Sequence, residues 1–202
     1  MQNKRLEKQI GFILEVDKLK TIERQTLITD ASRQENDAEH SWHLALMALV
    51  LGEYAKENTL DLLHVIRMVL IHDLVEIDAG DTYCYDSAGY TDKAQRETVA
   101  AERIFNLLPP DQASEFRALW DEFEAGKTAE ARFANALDRL QPLMHNAFTE
   151  GRMWKKHGIR KSQVVERNQK IEAGAPDLWT FASDLIDKAV DRGQLAPDKS
   201  ID

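Results

Sequence analysis

Apolar residues recur along this chain at spacings of three and four and almost nowhere alternate, so the pattern predicts helices rather than strands. A first helix over about residues 4–20 would turn Ile10, Ile13, Leu14 and Leu19 inward. The polar stretch "TIERQTLITDASRQENDAE" separates it from a second helix. That helix opens at "NDAE", where Asn36 and Glu39 have the spacing of a capping box, and continues through "HSWHLALMALVLGEYAKE". A third runs from about Asp61 to Ile77, its stripe of Leu62, Val65, Ile66 and Val69 leading into His72, Asp73 and Glu76. After the loop "DAGDTYCYDSAGYTD", helices are predicted over about 92–108 and 111–125, divided by Pro109-Pro110. The next, from Thr128 to about Glu150, carries Phe133, Leu137, Leu140, Met144 and Phe148 on one face. Two more cover about 160–173 and 177–192, the last entered by Pro176. The reading is all-α: seven or eight helices in one domain over residues 1–202, with no internal repeat, low-complexity tract or linker.

Composition narrows the class. A chain of 202 residues, 43% hydrophobic and 30% charged, has the makeup of a soluble globular domain with a proper core. Its formal charge of −9 argues against a nucleic-acid polymer as partner. Small phosphorylated ligands stay open, provided a metal or a few arginines offset the charge locally. The lone Cys84 suits a reducing compartment. No segment approaches the roughly 18 uninterrupted apolar residues of a membrane span, and "MQNKRLEKQI" lacks a signal-peptide pattern. The expected location is the cytoplasm, with no membrane partner.

The chemistry concentrates in "IHDLVEIDAGD", residues 71–81, where an apolar helix runs into His72, Asp73, Glu76, Asp78 and Asp81. Buried carboxylates are costly unless paired or bound to metal. On an ideal helix His72 and Asp73 diverge by about a hundred degrees, so an ion shared by them would sit between them. Transition metals accept such imidazole–carboxylate shells, and further ligands must come from other helices. His40 opens the second helix, and Asp138 lies beside Leu137 on the apolar side of the sixth. Pro142 frees the carbonyl four residues back, which belongs to Asp138, so any bend falls on the turn that presents this carboxylate.

His40, His72-Asp73 and Asp138, in that order, resemble the H…HD…D signature of HD-domain metal-dependent phosphohydrolases. Glu39-His40-Ser41 and the block His72, Asp73, Glu76, Gly80, Asp81 resemble more closely the branch of HD-domain 5′-deoxynucleotidases, over about residues 8–150. The resemblance implies one divalent ion on His40, His72, Asp73 and Asp138, and two imidazoles with two carboxylates suit Mn²⁺, Co²⁺, Fe²⁺ or Ni²⁺, with Zn²⁺ and Mg²⁺ as further options. It implies that Glu76 orients or deprotonates the attacking water, that Asp81 sits near the leaving oxygen or the sugar, and that Thr82, Tyr83 and Cys84 line a nucleotide pocket. It also implies a homodimer and a small nucleotide substrate. The chain departs from the branch at an Arg-Trp pair before the first histidine: "IERQTL" offers Arg24 and no tryptophan, and Arg33 is a second phosphate candidate. Two other classes remain: a phosphohydrolase of triphosphates, cyclic nucleotides or alarmones, and a nonhydrolytic nucleotide-binding protein. His43 reads as a polar neighbour of the site, His64, His145 and His157 as structural or surface groups, and Trp42, Trp120, Trp154 and Trp179 as packing anchors.

Overall fold

A computed structural model describes residues 2–86 and 88–199. Helix α1 (Gln2–Val16) ends earlier than its apolar pattern and passes into a 3-10 turn over Asp17–Thr21. Its inward face also differs from the expectation. Phe12 and Leu19 are buried, whereas Ile10, Ile13 and Leu14 are 47%, 62% and 68% exposed. The helix docks by its Phe12 edge, where that ring meets Phe116 edge-on with centroids 5.6 Å apart. Spacing alone does not tell a core stripe from an apolar stripe that faces water.

The polar stretch contains an unforeseen hairpin, β1 (Glu23–Leu27) paired antiparallel with β2 (Gln34–Asn36). Both strands are mainly polar, so the alternation that marks a half-buried strand is missing from the sequence. The pairing has a consequence for the site: it sets Arg24 beside Glu35 at the base of the next helix. That helix, α2 (Asp37–Leu51), carries the expected capping box, with the Asn36 side chain accepting from the Glu39 N–H and Glu39 reaching back to the Asn36 N–H.

The third predicted helix is broken in three. Helix α3 (Leu62–Ile71) tightens into a 3-10 turn over His72–Val75, and a single further turn, α4 (Glu76–Ala79), follows. Three residues per turn replace 3.6 there, so His72 and Asp73 diverge by about 120° rather than a hundred. Helices α5 (Lys93–Phe105), α6 (Pro110–Ala125) and α7 (Ala129–Phe148) lie where the sequence put them. A short helix escaped it, α8 (Arg152–His157), between Gly151 and Gly158, which both have positive φ. Six residues are too few to show a period. Helices α9 (Lys161–Asn168) and α10 (Pro176–Asp191) close the chain, the first running into a 3-10 turn over Gln169–Ala173. The all-α reading therefore holds.

Helix α7 is the axis of the core. Phe133, Ala134, Ala136 and Leu137 are fully buried, and the helix packs against α2, α3, α6 and α10. Phe148, at its far end, is 65% exposed rather than inward. Of the tryptophans, Trp120 and Trp154 are buried, but Trp42 is 64% exposed on α2, stacked beside the His43 ring rather than set in the core. No helix among the described residues is long and apolar enough to cross a membrane.

Candidate metal and phosphate-ester site

Three elements deliver the four expected ligands to one buried point. The first turn of α2 supplies His40, the 3-10 turn supplies His72 and Asp73, and the middle of α7 supplies Asp138. The two imidazole centroids lie 5.6 Å apart. Asp138 Oδ1 is 3.1 Å from His40 Nε2 and 3.8 Å from His72 Nε2. Asp73 Oδ2 is 3.8 Å from His40 Nε2, and Asp73 Oδ1 is 3.0 Å from His72 Nε2 without hydrogen-bond geometry, which leaves that buried nitrogen unpartnered.

Each imidazole is oriented through its other nitrogen. His72 Nδ1 lies 2.9 Å from the Val69 carbonyl oxygen, which only accepts, so this nitrogen carries the proton. His40 Nδ1 donates to Gln141 Oε1 at 3.1 Å, and the Gln141 amide donates in turn to Glu35 Oε1 at 2.5 Å. Both Nε2 atoms then face carboxylate oxygens, at positions where either a proton or a cation can bridge the two. Oriented imidazoles converging with carboxylates are a fitting donor set for a divalent metal, which would take the place of the bridging proton. His40, His72 and Asp73 do place ligand atoms within 4.8 Å of one another.

Without a metal the cluster supplies its own compensating proton. Burial lowers His72, but the charges of Asp73 and Asp138 outweigh it and raise the ring to about 9. His40, deeper and beside Arg24, is pushed down by burial to about 4. Burial would raise Asp138, yet its bonds to the two histidines hold it well below the usual carboxylate range.

Around this point lies a second layer of acid. Glu76 begins α4, and burial together with Asp73 and Asp37 raises it well above an ordinary glutamate; its Oε2 is buried and unpartnered. Gly80 ends α4 with φ of 74°, a left-handed conformation that turns the chain so that Asp81 returns to the same cleft. Burial raises Asp81 as well. Thr82, Tyr83 and Cys84 line the cleft as the resemblance implied, and burial pushes the Cys84 thiol up, away from a reactive thiolate. The cleft encloses about 240 Å³ and is floored by His72, Asp73, Glu76 and Asp138.

The two arginines expected to hold phosphate are placed differently. Arg33 does not reach the cleft; its guanidinium is exposed and fork-paired with Glu39 at 2.7 and 2.8 Å. Arg24 does line the cleft, but its Nη1 lies 3.0 Å from Asp73 and 3.3 Å from Asp37, and its Nε 3.7 Å from Glu35. It is committed to carboxylates. Sequence reasoning missed three of these groups. Asp37, fully buried and raised by burial to about 7, looks in the sequence like an ordinary acid in a first helical turn. Its one signal was its place three residues before His40, on the same helix face. Glu35, raised by burial to about 7, and Gln141, one turn after Asp138, are the other two. His145, expected to be structural, is buried beside Glu35 and His43.

An order of His, His-Asp and Asp gathered from three helical elements is a family trait, and residues 16–179 match the family model described as HD domain. The chain belongs to that family. The human protein named 5′-deoxynucleotidase HDDC2 is 31% identical over 136 residues, covering 67% of this chain; the chain spans 65% of that relative's length. The fission yeast protein named 5′-deoxynucleotidase hdd1 is 24% identical over 195 residues, 92% of this chain and 86% of its own. The crystal structure of a "Predicted metal-dependent phosphohydrolase" from Magnetospirillum magnetotacticum MS-1 superposes with a TM-score of 0.92 at 58% identity, covering 96% of each chain.

Proposed function

We propose that this chain is a divalent-metal-dependent phosphohydrolase that converts a nucleoside 5′-monophosphate, foremost a 2′-deoxyribonucleotide, to nucleoside and phosphate. The observation that carries the reading is the convergence of two oriented Nε2 atoms and two carboxylates beside a buried Glu76 whose Oε2 is unpartnered. The names of the human and fission yeast relatives support the substrate class. His40, His72, Asp73 and Asp138 would hold the ion, which when bound polarises the phosphoryl group and makes a coordinated water acidic near neutral pH.

The remaining steps belong to the chain's own residues. Water attacks phosphorus as the P–O5′ bond breaks, in a single displacement, since the cleft offers no activated nucleophile. Glu76 accepts the proton that the water loses. Its carboxyl is a stronger base than an ordinary glutamate because burial and Asp73 disfavour its charged form. Asp81 keeps its proton to higher pH than a free aspartate, which suits it to protonate the departing 5′ oxygen.

The test is phosphate release by Mn²⁺-reconstituted protein across deoxy- and ribonucleoside monophosphates, triphosphates, cyclic nucleotides and alarmones. Release confined to the monophosphates is expected. Turnover only of triphosphates, cyclic nucleotides or alarmones would overturn the substrate assignment, and equal rates on both sugars would remove only the deoxy preference.

A further inference from the structure

The cleft has a charge problem. Four cationic side chains line it: Arg24, Lys93, Arg139 and Arg167. Arg24 is bound to Asp37 and Asp73, and Lys93 to Glu97. An anionic substrate would therefore meet Asp73, Glu76 and Asp81 with two basic groups already spent. Arg139 and Arg167 are not spent. Arg139 follows Asp138 on α7, and its Nε and Nη1 are buried without any hydrogen-bond partner. Arg167 comes from α9, and neither arginine enters an ion pair among the described residues. Both line the same cleft. Cys84, Tyr90 and Asp138 line it with them.

Two guanidinium groups, partly desolvated and in no ion pair, share the one charge of Asp138, which the metal site also claims. A chain rich in surface acid has ample means to pair them, as it has paired Arg24. The arrangement makes sense if an anion fills the gap, and the planar fork of arginine matches the tetrahedral oxygens of phosphate.

We infer that Arg139 and Arg167 form an oxyanion subsite that clamps the phosphate group of the substrate at the α7 side of the cleft. The inference rests on the phosphate-ester reading above and deepens it, moving phosphate recognition from Arg24 and Arg33 to a pair contributed partly by the C-terminal helices.

The probe is inorganic phosphate, titrated calorimetrically into Mn²⁺-reconstituted protein and into chelator-treated protein. Arg139→Gln and Arg167→Gln should each weaken phosphate binding by about 10- to 100-fold, the scale of one lost charge-assisted hydrogen bond. Arg139→Lys should restore part of it, because charge returns and the fork does not. A structural role predicts the opposite sign in a second readout. If Arg139 served packing, its loss would lower the melting temperature, whereas removal of an unpaired buried charge should leave it level or raise it. Wild-type phosphate affinity in both glutamine variants overturns the subsite, whatever nucleotide is hydrolysed. Arginine-dependent phosphate binding in a protein that hydrolyses no nucleotide would uphold the subsite and remove the functional reading instead. If Arg167→Gln fails to fold by circular dichroism, Arg167→Lys takes its place with the same expected loss of the fork.

Discussion

Gln141 is the residue whose loss should reveal most about how the site is held. Its amide is fully buried: Oε1 accepts from His40 Nδ1 at 3.1 Å, Nε2 donates to Glu35 Oε1 at 2.5 Å, and Nε2 also lies 3.3 Å from His43 Nδ1 and 3.4 Å from His145 Nε2. Gln141→Leu keeps roughly the same volume and deletes these contacts, the two shortest being those to His40 and Glu35. A buried polar group left unsatisfied costs about 1–3 kcal/mol, and two are orphaned here, so a loss of at least about 2 kcal/mol is expected. For a chain of this size that lowers the melting temperature by about 4–8 °C. The functional effect is separate. With nothing to fix its tautomer, His40 should turn its Nε2 toward the other expected ligands only part of the time, and changes to such supporting groups typically lower metal affinity by about 10- to 100-fold. Calorimetric titration of Mn²⁺ into stripped wild-type and Gln141→Leu protein, alongside thermal melts, measures both. Unchanged Mn²⁺ affinity in a folded Gln141→Leu protein would refute the role given to the amide.

Further expectations follow from the same geometry. Glu76→Ala should lower kcat by about 10²–10⁴-fold while metal content survives, as suits a proton acceptor that is not a ligand; near-wild-type turnover in the metal-loaded variant contradicts it. Between pH 6.5 and 9 the folded chain keeps a proton on His72 that the unfolded chain has released, so metal-free stability should fall as pH rises through this window. Mn²⁺ affinity should rise over the same range, because binding needs that nitrogen free; melts in chelator that do not vary from pH 6.5 to 9 would contradict the raised ring. A homodimer predicts a sedimentation mass of about 46 kDa, twice the 23.1 kDa chain, at micromolar concentration, and a monomer mass removes it.

Much of the site could be read before the fold was known, and the reason is local. His72, Asp73, Glu76 and Asp81 lie within ten residues, and His40 and Asp138 stand at the polar end or apolar margin of strongly periodic helices. What stayed hidden depends on the third dimension. Asp37 reads as a first-turn acid until β1 and β2 bring Arg24 over it. Gln141 shares a helix with Asp138, but nothing in its spacing says that its amide faces His40 rather than solvent. Arg139 and Arg167 are 28 positions apart on separate helices, and only the packing of the C-terminal turns onto α7 makes them neighbours. The outward face of α1 was misread for a related reason, since Ile13 and Leu14 keep core spacing while facing water.

The central claim is that His40, His72, Asp73 and Asp138 hold the ion on which phosphate release depends. It is tested most directly by stripping the protein with chelator, adding Mn²⁺ back, and following bound metal and phosphate release from a deoxynucleoside 5′-monophosphate together. Wild-type protein should take up tightly bound metal and recover release in parallel. The His72→Ala/Asp73→Ala double variant, folded by circular dichroism, should do neither. A double variant that binds a stoichiometric ion and releases phosphate at the wild-type rate would contradict the account.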